Sequence, residues 1–197
     1  CGMLATAVHA KEASDTYREP SHPVQLRILN VIADICETSK DDIALSVDGC
    51  GVPVHRLPLR QSALGYARLA HPEQTEYADA LRQIRNAMTA HPEMVAGTGR
   101  FDTDAMKAFG GNLVAKEGAE GVQCMGVVDK GYGIIIKVED GNPRAASAAA
   151  MSVLKQLNIG DEAIHQQLHA YAKPAVKNVR GDVIGKIEAD FKLEKAD

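Results

Sequence analysis

An α+β fold, with helices packed on an antiparallel sheet, is what the sequence predicts, on three observations. Residues 24–89 carry mostly helical apolar spacing, two β-rich runs meet at Asp129-Lys130-Gly131, and an Ala-rich helix follows directly. At 197 residues, 45% hydrophobic and 24% charged, the chain has enough apolar surface for one substantial core. Its size predicts a single domain over residues 1–197. With no Trp and few aromatics, Leu, Ile, Val, Met and Ala must fill that core.

The elements follow in order. Met3 to Val8 has the small-residue character of a buried helix start, and residues 15–23 are loop-like. Val24, Leu26, Ile28, Leu29, Val31, Ile32 and Ile35 give residues 24–37 a helical apolar face, which Ser39-Lys40-Asp41-Asp42 interrupts. Ile43 to Val47 is a short strand, and the glycines and proline of Asp48-Gly49-Cys50-Gly51-Val52-Pro53 force a turn. Helices are predicted over 59–70 and 75–89, the second ended by His91-Pro92-Glu93. Asp102-Thr103-Asp104 is an N-cap cluster for a short helix carrying Met106 and Phe109, closed by Gly110-Gly111. Residues 121–128 and 132–138 form an antiparallel hairpin. Asp140-Gly141-Asn142-Pro143 leads into a helix over 144–157, and a second helix spans 161–171. Gly181-Asp182 turns into a last strand over 183–193.

Composition excludes several classes of function. A net charge of -4, with scattered basic residues, leaves no footprint for nucleic acid, and the Lys-rich stretch 186–195 is interleaved with acids as a solvated face. Apolar runs such as Gly133-Ile134-Ile135-Ile136 are far too short to span a bilayer. Cys1, Cys36, Cys50 and Cys124 are widely spaced without a C-x-x-C pair, which predicts reduced thiols in a cytoplasmic protein.

Two segments carry candidate chemistry. The glycines of Asp48 to Pro53 would present the Asp48 carboxylate and the Cys50 thiol outward from one tight turn; an ordinary turn with a buried cysteine is the alternative. Lys116, ahead of Glu117-Gly118-Ala119-Glu120-Gly121, would sit on a rigid edge strand and aim an ammonium into a cleft. A solvated surface lysine is the alternative there. Arg100, in the polar cluster of His91, Glu93 and Asp102, pairs with a carboxylate for structural reasons or to hold substrate. Asp140 to Arg144 reads first as a helix entry. His165 and His169, four apart without a third ligand, read as a solvent-exposed pair. Cys1 suggests either a processed N-terminal nucleophile or a point of truncation.

Taken together, these segments resemble the class 3 (rhizobial-type) L-asparaginase II family. Gly2-Met3-Leu4-Ala5 looks like the end of its C-S-G-K-H-x-G-M-L-A segment, and His22-Pro23-Val24-Gln25 matches H-P-x-Q. Asp48 to Pro53 matches D-G-C-G-x-P, with Leu57-Pro58-Leu59 downstream. His91 to Gly97 followed by Arg100-Phe101-Asp102-Thr103, Lys116 to Val122, and Asp140-Gly141-Asn142 with Arg144-Ala145 continue the series in order. The resemblance implies hydrolysis of L-asparagine to L-aspartate and ammonia on a serine β-lactamase-like, penicillin-binding-protein-like fold. It implies Lys116 and Asp48 as catalytic residues, with Arg100 and Glu120 binding substrate. Some members hold a zinc ion through the Cys and Lys of C-S-G-K and the Cys of D-G-C-G; Cys50, with Asp48 beside it, stands for the last. The family's Ser-x-x-Lys and C-S-G-K elements fall before Cys1. The chain is therefore expected to be a C-terminal portion, inactive alone, with an incomplete zinc site. The rival expectation is a non-catalytic remnant or interaction module with the same fold. Asp48, Cys50 and Lys116 are expected to converge on one cleft wall, with Lys116 at the N-terminal end of a strand. An apolar patch left open there would favour self-association as a homodimer.

Overall fold

The computed structural model describes residues 1–195 and divides into two compact units, Cys1–Gly65 and Tyr66–Asp197. The architecture is α+β, with small antiparallel sheets and helices. No helix of the described residues is long and apolar enough to cross a membrane.

In the first unit, α1 (Gly2–His9) buries only Ala7; Leu4 and Val8 are exposed, so the expected buried helix start is a surface helix. Helix α2 (Pro23–Ile35) begins where Pro23 takes the first helical position and the His22 ring accepts from the Val24 amide at 3.2 Å. The His22 Nε2 meets the Ala13 carbonyl at 2.9 Å and must donate there, so the ring is neutral with its proton on Nε2. Strands β1 (Ala44–Val47) and β2 (Pro53–Arg56) pair with Val47 opposite Pro53. The sequence had shown only the first of them, because Pro53 masks a strand it merely begins. Helix α3 (Leu59–Ala70) follows, as expected from its spacing, and passes from one unit into the other.

In the second unit, α4 (Ala78–Ala90) is followed by α5 (Pro92–Ala96) and α6 (Phe101–Ala108). Pro92 does not simply end a helix; it opens the next one, where its missing N–H costs nothing. Strands β3 (Leu113–Gly118), β4 (Val122–Val127) and β5 (Tyr132–Lys137) form a sheet in sequence order. The β4–β5 hairpin closes as predicted, Val127 facing Tyr132. Helix α7 (Ala146–Gln156) follows a 3-10 turn that Asn142 caps through the Arg144 amide.

The predicted helix over 161–171 is broken at Leu168 into α8 (Glu162–Gln167) and α9 (His169–Ala172). His165 is accordingly half-buried against the Ile159 carbonyl at 3.1 Å, not half of a solvent-exposed pair. Strands β6 (Ala175–Lys177) and β7 (Val183–Lys186) make a final hairpin. The last strand stops at Lys186; beyond it Gln156 holds the chain, donating to the Phe191 carbonyl and accepting from the Leu193 amide.

The core lies on one face of the β3–β5 sheet. Leu113, Ala115, Met125, Val127 and Ile134 pack with Met106 and Phe109 beneath α6 and with Met151 and Leu154 of α7. On the opposite face, Val114, Lys116, Cys124 and Gly126 alternate with those residues, as pleating requires. The second half of α3 approaches this face closely at Gly126. A Cβ on Gly126 would stand 2.6 Å from the Tyr66 carbonyl oxygen and 3.0 Å from the Ala70 Cβ.

Candidate functional site

The five residues between β1 and β2 close a tight loop: the Gly51 amide donates to the Asp48 carbonyl at 2.8 Å, and the Asp48 amide to Val52 at 3.0 Å. Gly51 has φ +80, a conformation that favours glycine, and the Arg18 side chain lies over it, 3.1 Å from where a Cβ would stand. Asp48 and Cys50 are both exposed at this tip, so Cys50 is not the buried cysteine of an ordinary turn. The Asp48 carboxylate accepts from the Gly49 amide at 2.7 Å and from the Cys50 thiol at 3.8 Å. These are two metal donors side by side, hard and soft. Zinc needs three or four, and among the described residues no three of His, Cys, Asp and Glu gather. The pair fits as part of a zinc site.

The second cluster forms at the outer edge of β3. Lys116 is exposed on this edge strand, as the sequence predicts, but it is the fourth of six residues and not at the N-terminal end. Its ammonium bonds to the carbonyl of its own neighbour Glu117. The Glu117 amide donates instead to the buried Asp102 carboxylate at 2.6 Å, whose other oxygen accepts from the buried Gln123 amide at 2.7 Å. Asp102 therefore does not cap α6; Arg100 holds that position without a side-chain bond, and Asp102 turns inward to the sheet. Hydrogen bonds to charged groups are worth about 1.5–3 kcal/mol each, so these two fix the strand edge that carries Lys116. Thr103 also turns inward, onto the carbonyls of Gly97 and Pro92.

Arg100 reaches across to Glu117, both carboxylate oxygens 2.8 Å from one guanidinium nitrogen. Hydrogen bonding to Glu117, then its charge, holds the guanidinium proton more tightly. Two shallow cavities adjoin this ion pair. One, of about 270 Å³, is lined by Lys116, Asp102, Gly118 and Ala119; the other, of about 180 Å³, by Phe101, Gln123, Ser147 and Tyr171. Glu120, at φ +58 in the β3–β4 turn, lies instead over Gly141, where its carboxylate would meet a Cβ at 2.6 Å. The motifs around Glu120 and Asp140 thus pack on each other, and Asp140 pairs with Arg144 at 2.9 Å.

Tyr66 escaped the sequence reading, and Cys124 entered it only as one of four reduced thiols. Cys124 stands opposite Lys116 in the β3–β4 register, and the Tyr66 hydroxyl of α3 bonds to its sulfur. Burial raises the thiol's pKa most, while the Tyr66 bond opposes the rise; Asp102 adds to it and Lys116 draws it back. Burial above all pushes the Tyr66 hydroxyl strongly upward. The available signal was Gly126, since a glycine inside a strand marks a close approach. A Ser-x-x-Lys spacing also occurs within the chain, Ser152-Val153-Leu154-Lys155 on α7. There Ser152 accepts from Gln156 at 3.1 Å and Lys155 is exposed.

Compared with curated proteins, the chain matches none. The family model described as L-asparaginase II matches residues 1–189, nearly the whole sequence, and takes in both the Asp48–Cys50 tip and the Lys116 edge. The chain therefore belongs to the L-asparaginase II family.

Proposed function

We propose that this chain acts in an amidohydrolase reaction that converts L-asparagine and water to L-aspartate and ammonia. The observation that carries the reading is the family match over residues 1–189, within which Lys116 stands at the lip of a cavity shared with Asp102. Lys116 would assist proton transfer or receive the substrate carboxylate. Arg100 is held by Glu117, so a substrate carboxylate must compete for it, whereas Lys116 gives up one neutral carbonyl. Asp48 would orient the amino acid or a metal-ligand lysine. Glu120 is the remaining candidate substrate contact and would have to leave Gly141 to serve. Acyl transfer also needs an activated hydroxyl and oxyanion donors, which the family resemblance assigns to a Ser-x-x-Lys element. None of the residues named here replaces it.

A zinc ion, where bound, would supply Lewis acidity or order; Cys50 and Asp48 would give it two donors. The same reading carries a serine β-lactamase-like architecture, a cytoplasmic location and a homodimer.

An interaction module is the second reading. It is favoured by apolar residues exposed on both small hairpins: Leu45, Val47 and Val54 on one, Val183 and Ile184 on the other. L-Aspartate binding followed by amide NMR shifts, with ammonia release from L-asparagine measured in parallel, decides between them. Shifts clustered at Lys116 and Arg100, with ammonia at background rate, are the expected result. Turnover lost in Lys116→Ala would establish the amidohydrolase and overturn only the expectation of inactivity. A folded chain showing neither shifts nor ammonia would leave the interaction module.

A further inference from the structure

Lys116 and Cys124 are cross-strand neighbours on the face of the sheet away from the main core. Beyond Cys124, Ile135 of β5 stands next in register and brings no charge. What covers the thiol comes from α3, brought close because Gly126 has no side chain to hold it off. That approach places the Tyr66 hydroxyl on the Cys124 sulfur. An apolar pair of similar volume would fill the same space without desolvating a hydroxyl and a thiol, so the polar pairing calls for a role beyond packing.

We propose that Tyr66 and Cys124 are positioning residues for Lys116: the Tyr66 hydroxyl fixes the Cys124 thiol against the Lys116 stem and so presents the ammonium at the outer edge of β3. The inference rests on the reading of Lys116 as a working residue of an amidohydrolase site. The stem of a lysine has four carbons and many rotamers, and a fixed neighbour on its own face narrows them. The Glu117 carbonyl then receives the ammonium at the edge, beside the amide that Asp102 holds. The groups acting on the thiol are Tyr66 from α3, Lys116 from β3 and Asp102 from α6.

The test is the pH dependence of Cys124 alkylation by iodoacetamide, followed peptide by peptide in the full chain so that Cys1, Cys36 and Cys50 are separated. The ammonium and the hydroxyl both favour the thiolate, so Lys116→Met and Tyr66→Phe should each slow alkylation severalfold at pH 8. Lys116 is on the surface, so Lys116→Met keeps the test valid should Tyr66→Phe fold poorly. A folded Lys116→Met whose alkylation profile overlays the wild type would overturn the proposal. L-Aspartate shifts at Lys116 should also weaken in Cys124→Ala and return in Cys124→Ser, which keeps a hydrogen-bonding atom; equal weakening in both would count against positioning. The thiol profile decides the arrangement even in a chain that binds no aspartate, so its failure and that of the functional reading are distinguishable.

Discussion

Replacing Gly126 by alanine tests how tightly α3 lies on the sheet. Gly126 is not in the left-handed region, so alanine meets no backbone strain, and relief of glycine's strand penalty should favour the variant by about 0.5–1 kcal/mol. Against this stands a methyl group 2.6 Å from the Tyr66 carbonyl oxygen, 2.9 Å from the Val114 Cγ2 and 3.0 Å from the Ala70 Cβ. Val114 can rotate, but the carbonyl belongs to the helix, so α3 must retreat or the sheet must bend. Overpacking of this kind costs about 1–3 kcal/mol, and a backbone obstacle puts it at the upper end. The steric effect wins, with a net loss of about 2 kcal/mol. In urea, followed by circular dichroism, the midpoint should fall by about 1 M with an unchanged slope, given a slope of about 2 kcal/mol/M. A midpoint equal to or above the wild type would refute the close packing, and with it the account of how Tyr66 reaches Cys124.

Two further outcomes follow from the geometry. Tyr171→Phe keeps the edge-to-face contact with Phe101, at 5.3 Å between centroids, and loses the 2.5 Å bond to Asp104, which should lower stability by about 1 kcal/mol in thermal melts. Burial first, then the Asp104 bond, push the Tyr171 hydroxyl up to about 12. The raised value means its stabilisation is whole below pH 10 and declines between pH 10 and 12; Tyr171→Phe should remove that part of the alkaline slope, and an unaltered slope would contradict it. Zinc should bind the chain weakly, because the hairpin tip offers two donors where a structural site takes four. Elemental analysis after dialysis should find less than one zinc per chain; stoichiometric zinc that disappears in Cys50→Ser would show that other ligands had been recruited.

What was legible in the sequence was what rests on local pattern. The β4–β5 hairpin shows itself because both strands are largely apolar and Gly131, at φ +62, ends a clear turn. Strand β3 was harder, since only Leu113, Val114 and Ala115 are apolar and the polar half that follows resembles a loop. Asp102 illustrates the limit of local signals. Its place at the start of α6 is the same whether it caps the helix or turns inward, and the partners that decide lie 15 and 21 residues away. The pairing of Tyr66 with Cys124 is likewise set by tertiary approach, with Gly126 as its one trace in the sequence. Lys116 was legible as an edge-strand lysine, and Cys50 as an outward thiol, because pleat and glycine content fix those directions.

The edge of β3 has a consequence for solubility. A bare edge strand is a template for pairing with another chain. Here α4, α5 and α6 lie against the strand, and at Glu117 the amide is spent on Asp102 and the carbonyl on the Lys116 ammonium. Lys116 is thus also a gatekeeper, a charge that denies an incoming strand its acceptor. Removing it to silence the chemistry frees that carbonyl at the same stroke, so a Lys116→Ala chain should self-associate more readily as concentration rises. Light scattering across a dilution series would separate that sticking from a true loss of binding. Lys116→Arg, which keeps a donor at the edge, is the variant to set beside it.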